Sequence, residues 1–251
     1  MNHTGVCGTG SRRAARTRGE VRGSESVAEV TARWYAGRHV PRSLPRVRPL
    51  STYSRGVATR SVTGAGSAEF SAALADLRAA VLRPEVTLTE VPAPSRIAPF
   101  AVALTADVLQ TAHDDEALAT GRFVLLHDPS EPEPWGGAWR AVTYARAEME
   151  PEMATDPVLG DAGWSWLIDA LEAHAVAYGA EAGTVTRVVS ESYAGLADRP
   201  ASVEMEIRAS WTPLDPTEIA AHLQAWSDVL CAIGGLPPLP EGVVALPGRR
   251  R

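Results

Sequence analysis

The sequence predicts an α+β fold: a two-layer sandwich in which one antiparallel sheet carries its helices on one face. The stretch Val203–Trp211 alternates strictly. Val203, Met205, Ile207, Ala209 and Trp211 fall on one side, and Glu204, Glu206, Arg208 and Ser210 on the other. That is the period of a strand with one buried face and one wetted face. Three other segments repeat apolar residues at helical spacing. The strand-like runs are joined by loops and a hairpin, which suits antiparallel pairing. The expected order is helix, three or four strands, helix, two strands, helix, which packs as two layers.

The first helix is expected over Ser67–Leu82, where Phe70, Ala73, Leu74, Leu77 and Val81 share a face. Ser67 can cap it and Arg83-Pro84 stops it. Glu85–Val91 alternates as a short strand before the break at Pro92 and Pro94. Phe100–Leu109 reads as a strand because Val and Thr recur in it. Gly121–His127 is apolar on both faces, as a central strand is. A Pro- and Gly-rich loop fills Asp128–Gly137, and Trp139–Glu148 is the next strand. Glu150–Gly160 is irregular.

The second helix is expected over Asp161–Tyr178, on Trp164, Leu167, Ile168, Leu171, Ala175 and Tyr178, with Gly179 as its stop. Thr184–Tyr193 and Val203–Trp211 make a hairpin around Gly195–Pro200. Asp215 as cap, Pro216 in the first position and Glu218 at the third open the last helix. Ile219, Leu223, Trp226, Leu230 and Ile233 form its stripe, and Gly234-Gly235 ends it.

Charge divides the chain near Gly66. Residues 1–65 hold 12 Arg against three acids, a balance of +9; residues 66–251 hold 12 Arg against 27 acids, a balance of −15. Residues 1–65, with little periodicity, are expected to be a disordered basic leader. A wrongly assigned start, with Val57 or Val62 as the true one, is one account of it. A basic binding arm and a targeting peptide are the others. Residues 66–236 are expected to form a single α+β domain, and 237–251 a Pro- and Arg-rich tail.

Composition excludes several chemistries. The chain contains no lysine, so it has neither a Walker phosphate loop nor a Schiff-base amine. G-x-S-x-G and G-x-G-x-x-G after a strand are also missing. No cofactor and no metal are expected. Cys7 and Cys231 make no disulfide framework, which points to the cytoplasm. No apolar run reaches the ~18–20 residues of a membrane span. A body at −15 repels phosphate, so any contact with nucleic acid would belong to the leader.

Two sets of residues remain as candidates. Trp135, Trp139 and Trp166 are hard to bury on the expected stripes, and exposed aromatics mark contact surfaces. Arg140, Arg146, Glu148, Arg187, Glu191, Glu204, Glu206 and Arg208 would decorate the polar sheet face with alternating charge. Together they favour a protein-binding or adaptor domain that works through a charged sheet face and a Trp-rich rim. The alternative is a metal- or carboxylate-dependent hydrolase. It would use His127 and Asp128 at a strand end, Glu148, Glu150 and Glu152 as paired carboxylates, or a cage with His113, Asp114 and Glu116. No motif fixes such a site, so the reading leans away from an enzyme.

Several strings are distinctive: Arg96-Ile97-Ala98-Pro99-Phe100, Ala119–Pro129, Glu150-Pro151-Glu152-Met153, Gly163-Trp164-Ser165-Trp166, Leu196-Ala197-Asp198-Arg199-Pro200, Arg208-Ala209-Ser210-Trp211 and Gly235–Pro240. Through them the chain resembles an uncharacterised actinobacterial family, number three thousand in the domain-of-unknown-function series, over about Phe70–Gly242. The resemblance implies no activity and supplies no catalytic residues.

Overall fold

The computed structural model describes residues 65–111, 114, 116–236 and 238. Apart from Ala65 and Pro238, the leader and the tail lie outside these residues. The described elements run α1 (Ala65–Ala79), β1 (Val86–Val91), β2 (Phe100–Val108), β3 (Ala119–His127), β4 (Trp139–Met149), α2 (Leu159–Ala173), β5 (Tyr178–Ser190), β6 (Ser202–Pro213) and α3 (Ile219–Ile233). All strands pair antiparallel in the order β1-β2-β3-β4-β6-β5. Because α2 intervenes after β4, the last strand returns beside β4 and β5 takes the edge.

The alternation of β6 holds. Val203, Met205, Ile207, Ala209 and Trp211 are all buried, and all but Val203 join the main core beneath the helices. The α3 stripe is buried throughout and meets β3 closely. At Gly121 an added Cβ would lie 2.6 Å from the Trp226 ring and 2.7 Å from the Tyr144 carbonyl. Only glycine lets this helix approach so near. At the edge, the Trp164 ring lies over Gly183, covering a strand position that has no side chain of its own.

Element ends differ from expectation for physical reasons. α1 stops at Ala79, and Val81 stands 78% exposed beyond it. α2 stops at Ala173, and Tyr178 opens β5 instead of closing the helix. Ala175 takes a left-handed φ of 51°, its N–H reaching Glu172 O at 2.9 Å while Val176 N–H reaches Leu171 O at 3.4 Å. This is a Schellman closure with alanine in the glycine position. The β5–β6 hairpin is longer than expected because β5 continues back through a bulge between Gly179 and Ala182. At α3, Asp215 is occupied by the preceding turn, accepting Thr217 N–H at 2.8 Å. The cap comes from another helix instead: Asp76 on α1 accepts Ala220 N–H at 2.7 Å.

The second sheet face is not wholly wet. Ala103, Val124, Leu126 and Trp135 form a smaller apolar cluster there, packed by Val91 at the end of β1 and by Ala93, Ile97 and Ala98 from the chain after it. This cover explains why β3 is apolar on both faces.

Candidate interaction surface

Beyond that apolar quarter, strand register lays the open face out in rows. One row reads Thr105, Arg122, Tyr144, Arg208 and Thr184 across β2, β3, β4, β6 and β5. The next reads Asp107, Thr120, Arg146, Glu206 and Thr186. Glu148 lies beside Glu204 at the end.

Tyr144 is the centre. Its hydroxyl donates to Glu206 Oε1 at 2.8 Å, and the Arg208 guanidinium sits 5.4 Å from its ring centroid. Arg208 also pairs with Glu206, and Arg146 with Glu204. Burial, then the bond to Glu206, raises the Tyr144 phenol well above the usual range, so it stays a donor. The bond to Glu204 raises Arg146, which stays charged. The result is a fixed array of donors and acceptors with its charges paired. It can read a polar partner through fixed donors and acceptors.

The other expected surface residues divide. The Trp rim does not form: Trp135 and Trp139 are buried and Trp166 is half-buried against the core. Trp139 shares the helix-facing parity of Ala141 and stacks on His127 at 4.1 Å, while Trp135 closes the smaller cluster. Arg140 points to the open face but is 1% exposed. Its Nη1 donates to Ala180 O at 2.8 Å and Thr212 Oγ1 at 3.1 Å, and its Nη2 to Ser210 Oγ at 2.7 Å. It fastens the β5 bulge, and burial pushes its guanidinium down to about 10. Arg187 lies opposite Met205, on the helix side, and donates to Asp156 O at 2.5 Å. Glu191 follows β5 and accepts the Tyr193 hydroxyl.

The hydrolase residues do not converge. His127 is buried among Phe70, Phe100 and Trp139, with Nε2 3.4 Å from the Glu69 carboxylate. Burial holds this imidazole below its usual range. Asp128 accepts from the Ser130 N–H and hydroxyl at 2.9 and 2.7 Å. Glu148, Glu150 and Glu152 are exposed around the far end of β4, about 30 Å along the strand from Trp139, the partner of His127. Asp114 accepts Thr111 N–H at 2.6 Å, and His113 lies outside the described residues. A cleft of about 350 Å³ opens elsewhere, between Asp156–Gly160 and the β5 edge, with Arg187 and Met205 in its lining.

Sequence reasoning passed over Tyr144. The signal was present: Arg140, Val142, Tyr144, Arg146 and Glu148 share one parity of β4, with a phenol among the charges.

The family model described as Protein of unknown function (DUF3000) matches residues 66–244. The chain belongs to this family. The DUF3000 match takes in all six strands, so the network around Tyr144 lies inside the family's domain. No curated protein and no solved structure matches the chain. Membership of DUF3000 therefore brings no activity with it. Among the described residues, no helix is long and apolar enough to cross a membrane.

Proposed function

We propose that this is a cytoplasmic protein-binding domain whose contact surface is the open sheet face around Tyr144, Arg146, Arg208, Glu204 and Glu206. One observation carries the reading. An ordered ladder of paired charges and a half-buried phenol stands on the part of the second sheet face away from the small apolar cluster of Ala103, Val124, Leu126 and Trp135. These paired side chains are partly buried, and desolvation offsets much of what a surface pair contributes, itself only ~0–1 kcal/mol, so such a ladder is poorly accounted for by folding alone. Fixed, complementary charge gives a binding surface register and selectivity. The cytoplasmic assignment rests on the missing disulfide framework in the sequence.

The test is affinity capture from the native host with the tagged full chain, beside Arg146→Glu and Arg208→Glu. Proteins held by the wild type should be lost from both variants. Each reversal sets a carboxylate beside Glu204 or Glu206, so the unfolding midpoint should fall, and capture is compared at a temperature at which all three proteins are folded. Capture that is indifferent to both reversals sinks the reading.

A further inference from the structure

Among the described residues eight large apolar side chains stand exposed, and four of them, Val188, Val189, Tyr193 and Leu196, fall within nine consecutive positions. They lie at the end of β5 and just after it. β5 closes the sheet on that side, so its outward N–H and C=O groups face no further strand. Exposed edges of this kind are normally blunted by proline, lysine or a bulge. From Ala182 to Ser190 there is no proline and no lysine, and the bulge lies earlier, at Gly179–Ala182.

One charge does stand in this segment. Arg187 would resist pairing with another strand unless an acid lay opposite. The chain supplies one: Glu191 is as far beyond Val189 as Arg187 is before it, so both share the same parity. Among the described residues neither is in an ion pair. We infer that the β5 edge is a homodimer interface, in which the Val185–Tyr193 segments of two copies pair antiparallel about a twofold axis through Val189.

That register follows from the sequence itself. A twofold at Val189 sets Val189 against Val189, Val188 against Ser190, and Arg187 against Glu191 of the second copy, twice. Val185 comes opposite Tyr193, which is already extended at φ −129° and ψ 161°. The valines lie at the centre, and the two opposed charge pairs flank them. The two sheets then join into one continuous sheet. The segment in question lies on the edge, apart from the Tyr144 face, so it can be occupied while that face remains open.

Sedimentation of the full chain over a roughly hundredfold concentration range tests this, since a dimer responds to concentration. The wild type should pass from monomer to dimer. Arg187→Glu alone and Glu191→Arg alone each place like charges opposite one another at both pairs, and each should weaken association by about tenfold or more. Mixing these two single variants should restore it. The first variant then carries acids at both positions and the second carries guanidinium groups at both, so each pair again joins opposite charges. Arg187→Glu also gives up its bond to the Asp156 carbonyl. The mixture controls for this, because one partner in it still lacks that bond, yet association should return. A wild type that stays monomeric overturns the proposal. So does a mixture no tighter than its components, or a segment found to bind a different protein while the chain itself remains monomeric.

Discussion

Trp211 donates its indole N–H to His222 Nδ1 at 3.0 Å deep in the core, and the burial of this imidazole ties stability to pH. Burial pushes the His222 imidazole down to about 4. The unfolded chain holds that proton below about 6.5, so the unfolded state binds more protons between the two values. Stability from this group is therefore complete above pH 6.5 and falls as the pH drops toward 4, by a total on the order of 3 kcal/mol. His127, also depressed by burial, adds a loss of the same sign. Denaturant titrations from pH 7 to pH 4 should show the fall. His222→Gln, which keeps an acceptor for Trp211 but cannot titrate in this range, should make the fall shallower. An equal slope in both proteins would refute the assignment. The parity of the strand residues is readable from the sequence, but their cover is not. Arg140 points to the side its strand period dictates. Its burial depends on Ala180, Ser210 and Thr212, which lie 40 or more positions away along the chain. Arg187 falls on the face opposite to the expected one, because the start of β5, and so its phase, is hidden behind a bulge.

Elements with a complete local signal are legible. β6 and the α3 stripe need nothing beyond their own period, and Gly235, with φ 77°, ends α3 where a glycine stop is expected. α2 ends earlier than its spacing predicts, because Ala175 and Tyr178 continue the period of Leu171 and Gly179 offers a false stop. The true stop carries no sequence mark, since alanine occupies the left-handed position. An L-residue there costs roughly 1–2 kcal/mol. Glycine removes the strain but loosens the unfolded chain. Ala175→Gly should therefore stabilise the protein, by about 0.5–1 kcal/mol after that offset, read as a higher denaturant midpoint at unchanged slope. A lower midpoint would mean that the Cβ of Ala175 packs usefully.

At the level of the molecule, the two layers depend on one helix. α3 presses on β2, β3, β4 and β6, its cap comes from α1, and His174 at the end of α2 bonds Asp228 on α3 at 2.8 Å. A chain ending after Leu214 lacks α3 and leaves Phe123 and Trp211 without the Trp226 and His222 side chains that pack on them. It should show no cooperative unfolding transition and should bind a hydrophobic dye. A sharp transition at the wild-type midpoint would show the sheet to be self-sufficient. The position of α3 in the chain also has a temporal meaning. It follows every strand it covers, and translation advances at about 5–20 residues per second. The interval from the emergence of β1 to that of α3 is thus on the order of ten seconds. Throughout it the part of the nascent sheet that α3 covers, around Phe123, stays bare beside neighbouring nascent chains. A cell making this protein must shield that surface until the last helix arrives, so yield should depend on chaperone supply and on the spacing of ribosomes along the message.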